Sequence, residues 1–332
     1  MTQPFSYYKQ TDYIVVALSI VPIIAQVLLS DVSAVALCVN WIAAGVFAWI
    51  IWDIIERHHL GLLDRNHALS ISWALMSLVL NFALINFNEY ETNADVAQWM
   101  YVDKSEWKYL IQMSGFLVII YSVMQTWQHR IDPIRLLSCG AIIGVVSTFL
   151  NYSLLWLLLF PVFFYYMRSW SKQNWGSLIS GLVLAIWISY IVKLIVAGED
   201  NADGFILSYA TLIDNLMPER IEYTFWEWVF MGFTALLLII YSISGYAINV
   251  AKTVKAHSSV IMLSTLSLII TALAIIDLSH LPNYLGLLSI FLSFQISIHQ
   301  SCLIDAKNEW WTLFLLFLYI VLCVMPLFWS PF

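Results

Sequence analysis

Carboxylates crowd two stretches of this chain. Glu89, Glu91, Asp95, Asp103 and Glu106 lie within Asn88–Tyr109. Glu199, Asp200, Asp203, Asp214, Glu219 and Glu222 lie within Gly198–Phe225, with Glu227 just beyond. Clustered carboxylate oxygens suit a hard divalent cation such as Mg²⁺, Mn²⁺ or Ca²⁺ better than zinc. One such group can also serve as a general base. Glu89, Glu91 and Asp95 are the closest-spaced acids and are the candidates for base or metal ligand. Their spacing is not that of an EF-hand, so the identity of any metal cofactor stays open. The alternative is that both stretches are simply solvated acidic loops. Three cationic or imidazole side chains complete the candidate set. Lys193 and Arg220 suit the phosphate of a lipid carrier, because an ammonium or a forked guanidinium matches phosphate oxygens. His280 shares the turn Asp277–Pro282 with Asp277, a spacing that allows a shared proton or metal. Snorkelling of Lys193 to the surface and a capped turn at Asp277 are the plainer readings.

Other reactive residue types point elsewhere. Glu56-Arg57-His58-His59, with His67 beyond, is one histidine cluster, where di-iron membrane oxygenases use several; it reads as a loop at headgroup level. The 4 cysteines fall inside helices (Cys38, Cys323) or near the basic face (Cys139, Cys302), which is no disulfide framework.

The elements that must position these residues follow from hydropathy. Of 332 residues 61% are hydrophobic and only 11% charged, whereas soluble domains carry roughly a quarter charged residues. The mean hydropathy is +0.83. Such a chain buries its apolar surface in a bilayer. A net charge of -7 argues against a nucleic-acid partner. The apolar runs are too continuous for barrel strands. Eleven helices are expected, near Tyr13–Leu29, Val32–Ile55, Ala68–Phe87, Leu110–Trp127, Leu136–Leu150, Ser153–Met167, Gly176–Val196, Trp226–Ile248, Val260–Ile276, Tyr284–His299 and Trp310–Phe328. The fold class is therefore all-α, a polytopic transmembrane bundle forming a single domain over residues 1–332. The first run lacks a clean cleavage site and is read as an anchor.

Positive charge alternates between the gaps. Lys9, Arg57, Arg65, Arg130, Arg135, Arg168, Lys172, Lys252, Lys255 and Lys307 fall on one side; Lys104, Lys108, Lys193 and Arg220 fall on the other. Lys and Arg stay cytoplasmic during insertion, so the N-terminus is expected inside and the C-terminus outside. The two acidic loops then face outward. The second carries an amphipathic pattern capped by Asp203, with Ile206, Tyr209, Ile213 and Leu216 on one face and Pro218 at its end. The first repeats it weakly through Val96, Trp99, Met100 and Trp107. Glycine and serine prepare close helix packing: Gly140, Gly144 and Ser147 on the fifth run, Gly176, Ser177, Ser180 and Gly181 on the seventh. Gln26, Asn40, Asn81, Gln112 and Gln295 are expected to join helices by hydrogen bonds. No Asp, Glu, Lys or Arg sits at a helix centre, which argues against a proton-coupled pump.

The middle of the chain carries a resemblance. Arg135-Leu-Leu-Ser-Cys-Gly-Ala-Ile-Ile-Gly144, Tyr152-Ser-Leu-Leu-Trp-Leu-Leu-Leu-Phe160, Arg168 to Trp175 with Gly181, His280-Leu-Pro-Asn-Tyr-Leu-Gly-Leu-Leu288 and Asn308-Glu-Trp-Trp311 resemble an uncharacterised family of bacterial polytopic inner-membrane proteins. The order glycine-rich helix, turn, apolar helix, basic loop, helix is also similar to the C-type integral-membrane glycosyltransferases. That resemblance implies an outward-facing active site, an acidic base or metal ligand on an early external loop, and polyprenyl-phosphate-linked sugar donors. There the acidic loop follows the first helix; here it follows the third, so only Glu89, Glu91 and Asp95 fill the part. The expected function is action on a lipid-linked sugar in cell-envelope glycan assembly at the bacterial inner membrane. The alternative is a non-enzymatic membrane subunit, a scaffold or transporter component, whose external loops dock a protein partner.

Overall fold

A computed structural model describes residues 15, 17, 19–25, 27–28, 34–60, 65–86, 108–127, 132–197, 224–247, 253–276, 281–302 and 306–328. All regular structure among them is helical. In chain order the elements are α1 (Ala34–Arg57), α2 (Arg65–Asn86), α3 (Lys108–Met124), α4 (Pro133–Ser147), a 3₁₀-helix (Asn151–Leu159), α5 (Phe160–Tyr166), α6 (Lys172–Ala197), α7 (Phe225–Ala247), α8 (Val254–Ile276), α9 (Leu281–Cys302) and α10 (Ala306–Phe328). The residues described between 15 and 28 are helical too. Every apolar run read from the sequence thus carries helix. Among the described residues four helices are long and apolar enough to cross a membrane: Leu37–Arg57, Lys172–Val196, Phe225–Ser244 and Val254–Ile276. The segments 88–107 and 198–223, where amphipathic helices are expected, lie outside the described residues.

The sixth run departs from a single α-helix. It is nine residues of 3₁₀-helix followed by the seven-residue α5. Pro161, in the first turn of α5, explains the division. Its ring has no N–H to donate and would clash with the carbonyl four residues back, so the α-ladder cannot run through it. The break before it is sharp as well, because Leu150 is extended (φ -139°, ψ 89°).

The chain divides into two compact units. The first comprises Met1–Leu110, Ile221–Ile275 and Leu281–Phe332, the second Ile111–Arg220 and Ile276–His280. In the first unit α9 is the central helix, buried at every position from 284 to 298 and packed on α1, α2 and α7. α10 packs on α2 and α7. Aromatic rings tie this core, with Phe82 stacked on Phe230 at 3.7 Å and Tyr319 edge-on to Phe230 at 5.6 Å. α7 starts with a reciprocal capping box. Thr224 N–H donates to Glu227 Oε2 at 2.7 Å, and Glu227 N–H donates to Thr224 Oγ1 at 3.4 Å.

In the second unit the dominant packing is α4 on α6. Glycine makes it possible. A Cβ at Gly140 would overlap the Leu178 carbonyl, a Cβ at Gly181 would overlap the Leu137 carbonyl, and one at Gly144 would reach 2.6 Å from Ala185 Cβ. This is the small-residue crossing expected from the sequence. Gly176, placed on the same stripe by the sequence reading, faces open space.

Candidate functional site

Of the residues singled out from the sequence, Glu89, Glu91, Asp95, Arg220 and His280 lie outside the described residues. Lys193 is described. It stands in the last turns of α6 and is half-buried, while Val192, Ile195 and Val196 beside it expose 52%, 78% and 80% of their surfaces. α6 uses one face (Leu178, Gly181, Leu182, Ala185) against α4 and leaves Val183, Leu184, Trp187 and Ile188 exposed on the other. Lys193 is therefore a cation among the exposed apolar side chains of the second half of α6. A lysine is usually accommodated on such a surface with its stem along the apolar side chains and its charge at the wet edge.

Among the described residues no three His, Cys, Asp or Glu side chains come together as a metal site. Glu227, counted from sequence with the external acids, is 3% exposed, and its carboxylate is held by the α7 capping box. A sequence signal for that role was present in Thr224-x-x-Glu227.

The sequence reading missed a hydroxyl-rich seam inside the first unit. Ser72 and Ser297 share a hydrogen bond at 2.8 Å, Gln295 Nε2 donates to Ser264 Oγ at 3.2 Å, Ser242 Oγ donates to Ser267 Oγ at 2.9 Å, and Tyr319 donates to Thr234 at 3.0 Å. These bonds link α2, α7, α8, α9 and α10. Gln295 thus joins helices as expected. Asn81 does not: its amide is fully buried with neither atom hydrogen-bonded among the described residues. Ser244 lies 3.4 Å from His299 Nδ1, but its hydroxyl donates at 2.8 Å to the Tyr241 carbonyl, a helix-internal bond rather than the geometry of an activated nucleophile.

The histidine cluster also differs from a solvated loop. α1 ends in a Schellman turn, in which Leu60 N–H donates to the Ile55 carbonyl at 3.0 Å and His59 N–H to the Glu56 carbonyl at 3.1 Å. His59 occupies the left-handed position (φ 52°). The turn leaves His58 7% exposed, with both ring nitrogens buried and unpartnered among the described residues. Burial pushes its pKa down to about 4, and Lys255, His59 and Arg57 add to the shift while Asp53 opposes it.

No protein-family model, curated protein or solved structure matches this chain.

Proposed function

We propose that this chain is a multi-pass protein of the bacterial inner membrane that engages a polyprenyl-phosphate-linked sugar on its outward side. Four apolar helices of spanning length support the membrane setting. The observation that carries the reading is Lys193, a cation among the exposed valines and isoleucines at the end of α6. A lipid bearing a phosphate matches both parts of that surface, apolar chain along the helix and anion at its end. Glu89, Glu91 and Asp95 supply the base or the divalent-cation ligands in this reading, and Arg220 and His280 assist at the phosphate. The similarity to C-type glycosyltransferases belongs to the same proposal.

The test is photocrosslinking of a polyprenyl phosphate to the full chain in nanodiscs. Lys193→Ala lowers labelling about tenfold or more, as loss of one charge-assisted contact would, and Lys193→Arg retains it. Unchanged labelling of Lys193→Ala sinks the assignment. Simultaneous Ala at Glu89, Glu91 and Asp95 abolishes turnover without lowering thermal stability. If that variant keeps full function in cells, the scaffold or transporter-subunit reading replaces the enzymatic one.

A further inference from the structure

Only two non-glycine residues among those described adopt positive φ, and both are basic side chains at the same position of a helix-ending turn: His59 after α1 and Arg168 after α5. At Arg168 (φ 54°) the turn is again a Schellman motif, with Ser169 N–H donating to the Phe164 carbonyl at 3.0 Å and Arg168 N–H to the Tyr165 carbonyl at 3.3 Å. Glycine is the usual occupant there, since any Cβ in the left-handed region is strained. An arginine kept at such a position points to a use for its side chain.

The surroundings of Arg168 say what that use is. Its guanidinium sits 5.6 Å above the Trp127 ring and has no carboxylate partner among the described residues. Lys172 follows at the start of α6, exposed, and Arg135 lies on α4 with its charge against Asp132 at 3.5 Å. Around these cations Tyr165, Trp170 and Ile134 expose 73%, 61% and 77% of their surfaces. The backbone beneath is held firmly. Asn174 accepts from Asp132 N–H at 3.1 Å and donates to the Ser169 carbonyl at 2.6 Å, and Arg135 donates to the Gln125 carbonyl at 2.9 Å. Exposed Trp and Tyr beside Lys and Arg on a fixed turn is the chemistry of a membrane interface, where rings sit at headgroup level and cations meet anionic lipid phosphates.

We propose that the corner formed by Arg135, Arg168, Lys172, Tyr165 and Trp170 docks an anionic phospholipid headgroup, with Arg168 held in a strained backbone for that purpose. This rests on the membrane setting but not on the glycan reading, and it concerns the opposite leaflet from Lys193.

The experiment uses the full chain in nanodiscs of phosphatidylcholine, with and without phosphatidylglycerol, and reads bound lipid by native mass spectrometry together with thermal stability. Phosphatidylglycerol is expected to be enriched on the wild-type protein. Arg168→Gly relieves the strain, so thermal stability in phosphatidylcholine stays level or rises while enrichment falls about fivefold, the share of one basic residue at an anionic surface. Arg168→Gln keeps the backbone strain and loses the same enrichment; Arg168→Lys keeps most of it. Enrichment unchanged in Arg168→Gly and Arg168→Gln overturns the proposal. So does inorganic phosphate in phosphatidylcholine discs stabilising the protein as much as the lipid does, since that marks a free-anion site. The polyprenyl phosphate labelling that depends on Lys193 is expected to be unaffected, which separates failure here from failure there.

Discussion

His58 shows how little of a residue's role its type conveys. Glu56-Arg57-His58-His59 offers two adjacent imidazoles, and nothing in their order says which turns inward. The left-handed turn at His59 decides it, leaving that ring on the surface side and sending His58 beneath the end of α1. The neutral ring is the form the fold accepts, because burial, with Lys255, His59 and Arg57 nearby, lowers its pKa from 6.5 to about 4. The depressed value fixes the sign of the pH effect. The stability tied to the neutral ring is complete above about pH 6.5 and is lost as the pH falls towards 4. A shift from 6.5 to about 4 sets an upper scale of roughly 3 kcal/mol. Thermal unfolding in detergent at a series of pH values should show that loss, and His58→Leu should flatten the curve through this range. Leu also removes two buried nitrogens that have no partner among the described residues, so at neutral pH the variant is expected to be as stable as the native chain or more so. A pH profile unchanged by His58→Leu would refute this assignment. Glu227 teaches the complementary lesson. Its place at the head of a helix was legible, and with it the capping box, yet counting it among the external acids hid that role.

Helices were the legible element because an apolar run in a chain this hydrophobic has few other ways to satisfy its backbone. Their packing was legible only in part. Gly140 and Gly144, four apart, lie on one face and meet α6, where Gly181 answers them. Gly176 is five residues from Gly181, which places it about 140° around the helix, away from α4. Glycine content alone cannot show that difference; angular position can. Gly140→Ala or Gly181→Ala, each forcing a Cβ into a facing carbonyl, should lower stability by about 1–3 kcal/mol. Gly176→Ala should instead raise it by about 0.4–1 kcal/mol through the unfolded chain. Equal effects at all three positions, read by thermal melts in detergent, would remove the crossing as an explanation. The hydroxyl seam escaped sequence reading for a related reason. Serines are common on apolar helices, and only the facing partner turns one into a link between helices.

For the whole molecule, the asymmetry of charge sorts the gaps between helices before any contact is known. It predicts that an alkaline phosphatase fused after Phe332 is exported to the outward side of the membrane and active, and that one fused after Lys307 is not. The reverse pattern would invert the inferred faces, and with them the leaflets assigned to Lys193 and Arg168. The candidate catalytic acids could be named from sequence because carboxylates in an apolar chain stand out. Their geometry could not, since they lie outside the described residues and no hydropathy period fixes where a carboxylate points.

The nine-residue 3₁₀ stretch between Asn151 and Leu159 has a mechanical meaning for a protein in a bilayer. At about 2.0 Å per residue it is some 18 Å long, and relaxing its hydrogen bonds into an α-ladder at about 1.5 Å per residue would shorten it by about 4.5 Å. That is comparable to the few ångströms by which bilayer thickness varies from membrane to membrane. Pro161 marks one end of this stretch and the extended Leu150 the other, so the length change is confined between two fixed joints. Any such change would be confined to Asn151–Leu159, outside the glycine-locked crossing of α4 and α6.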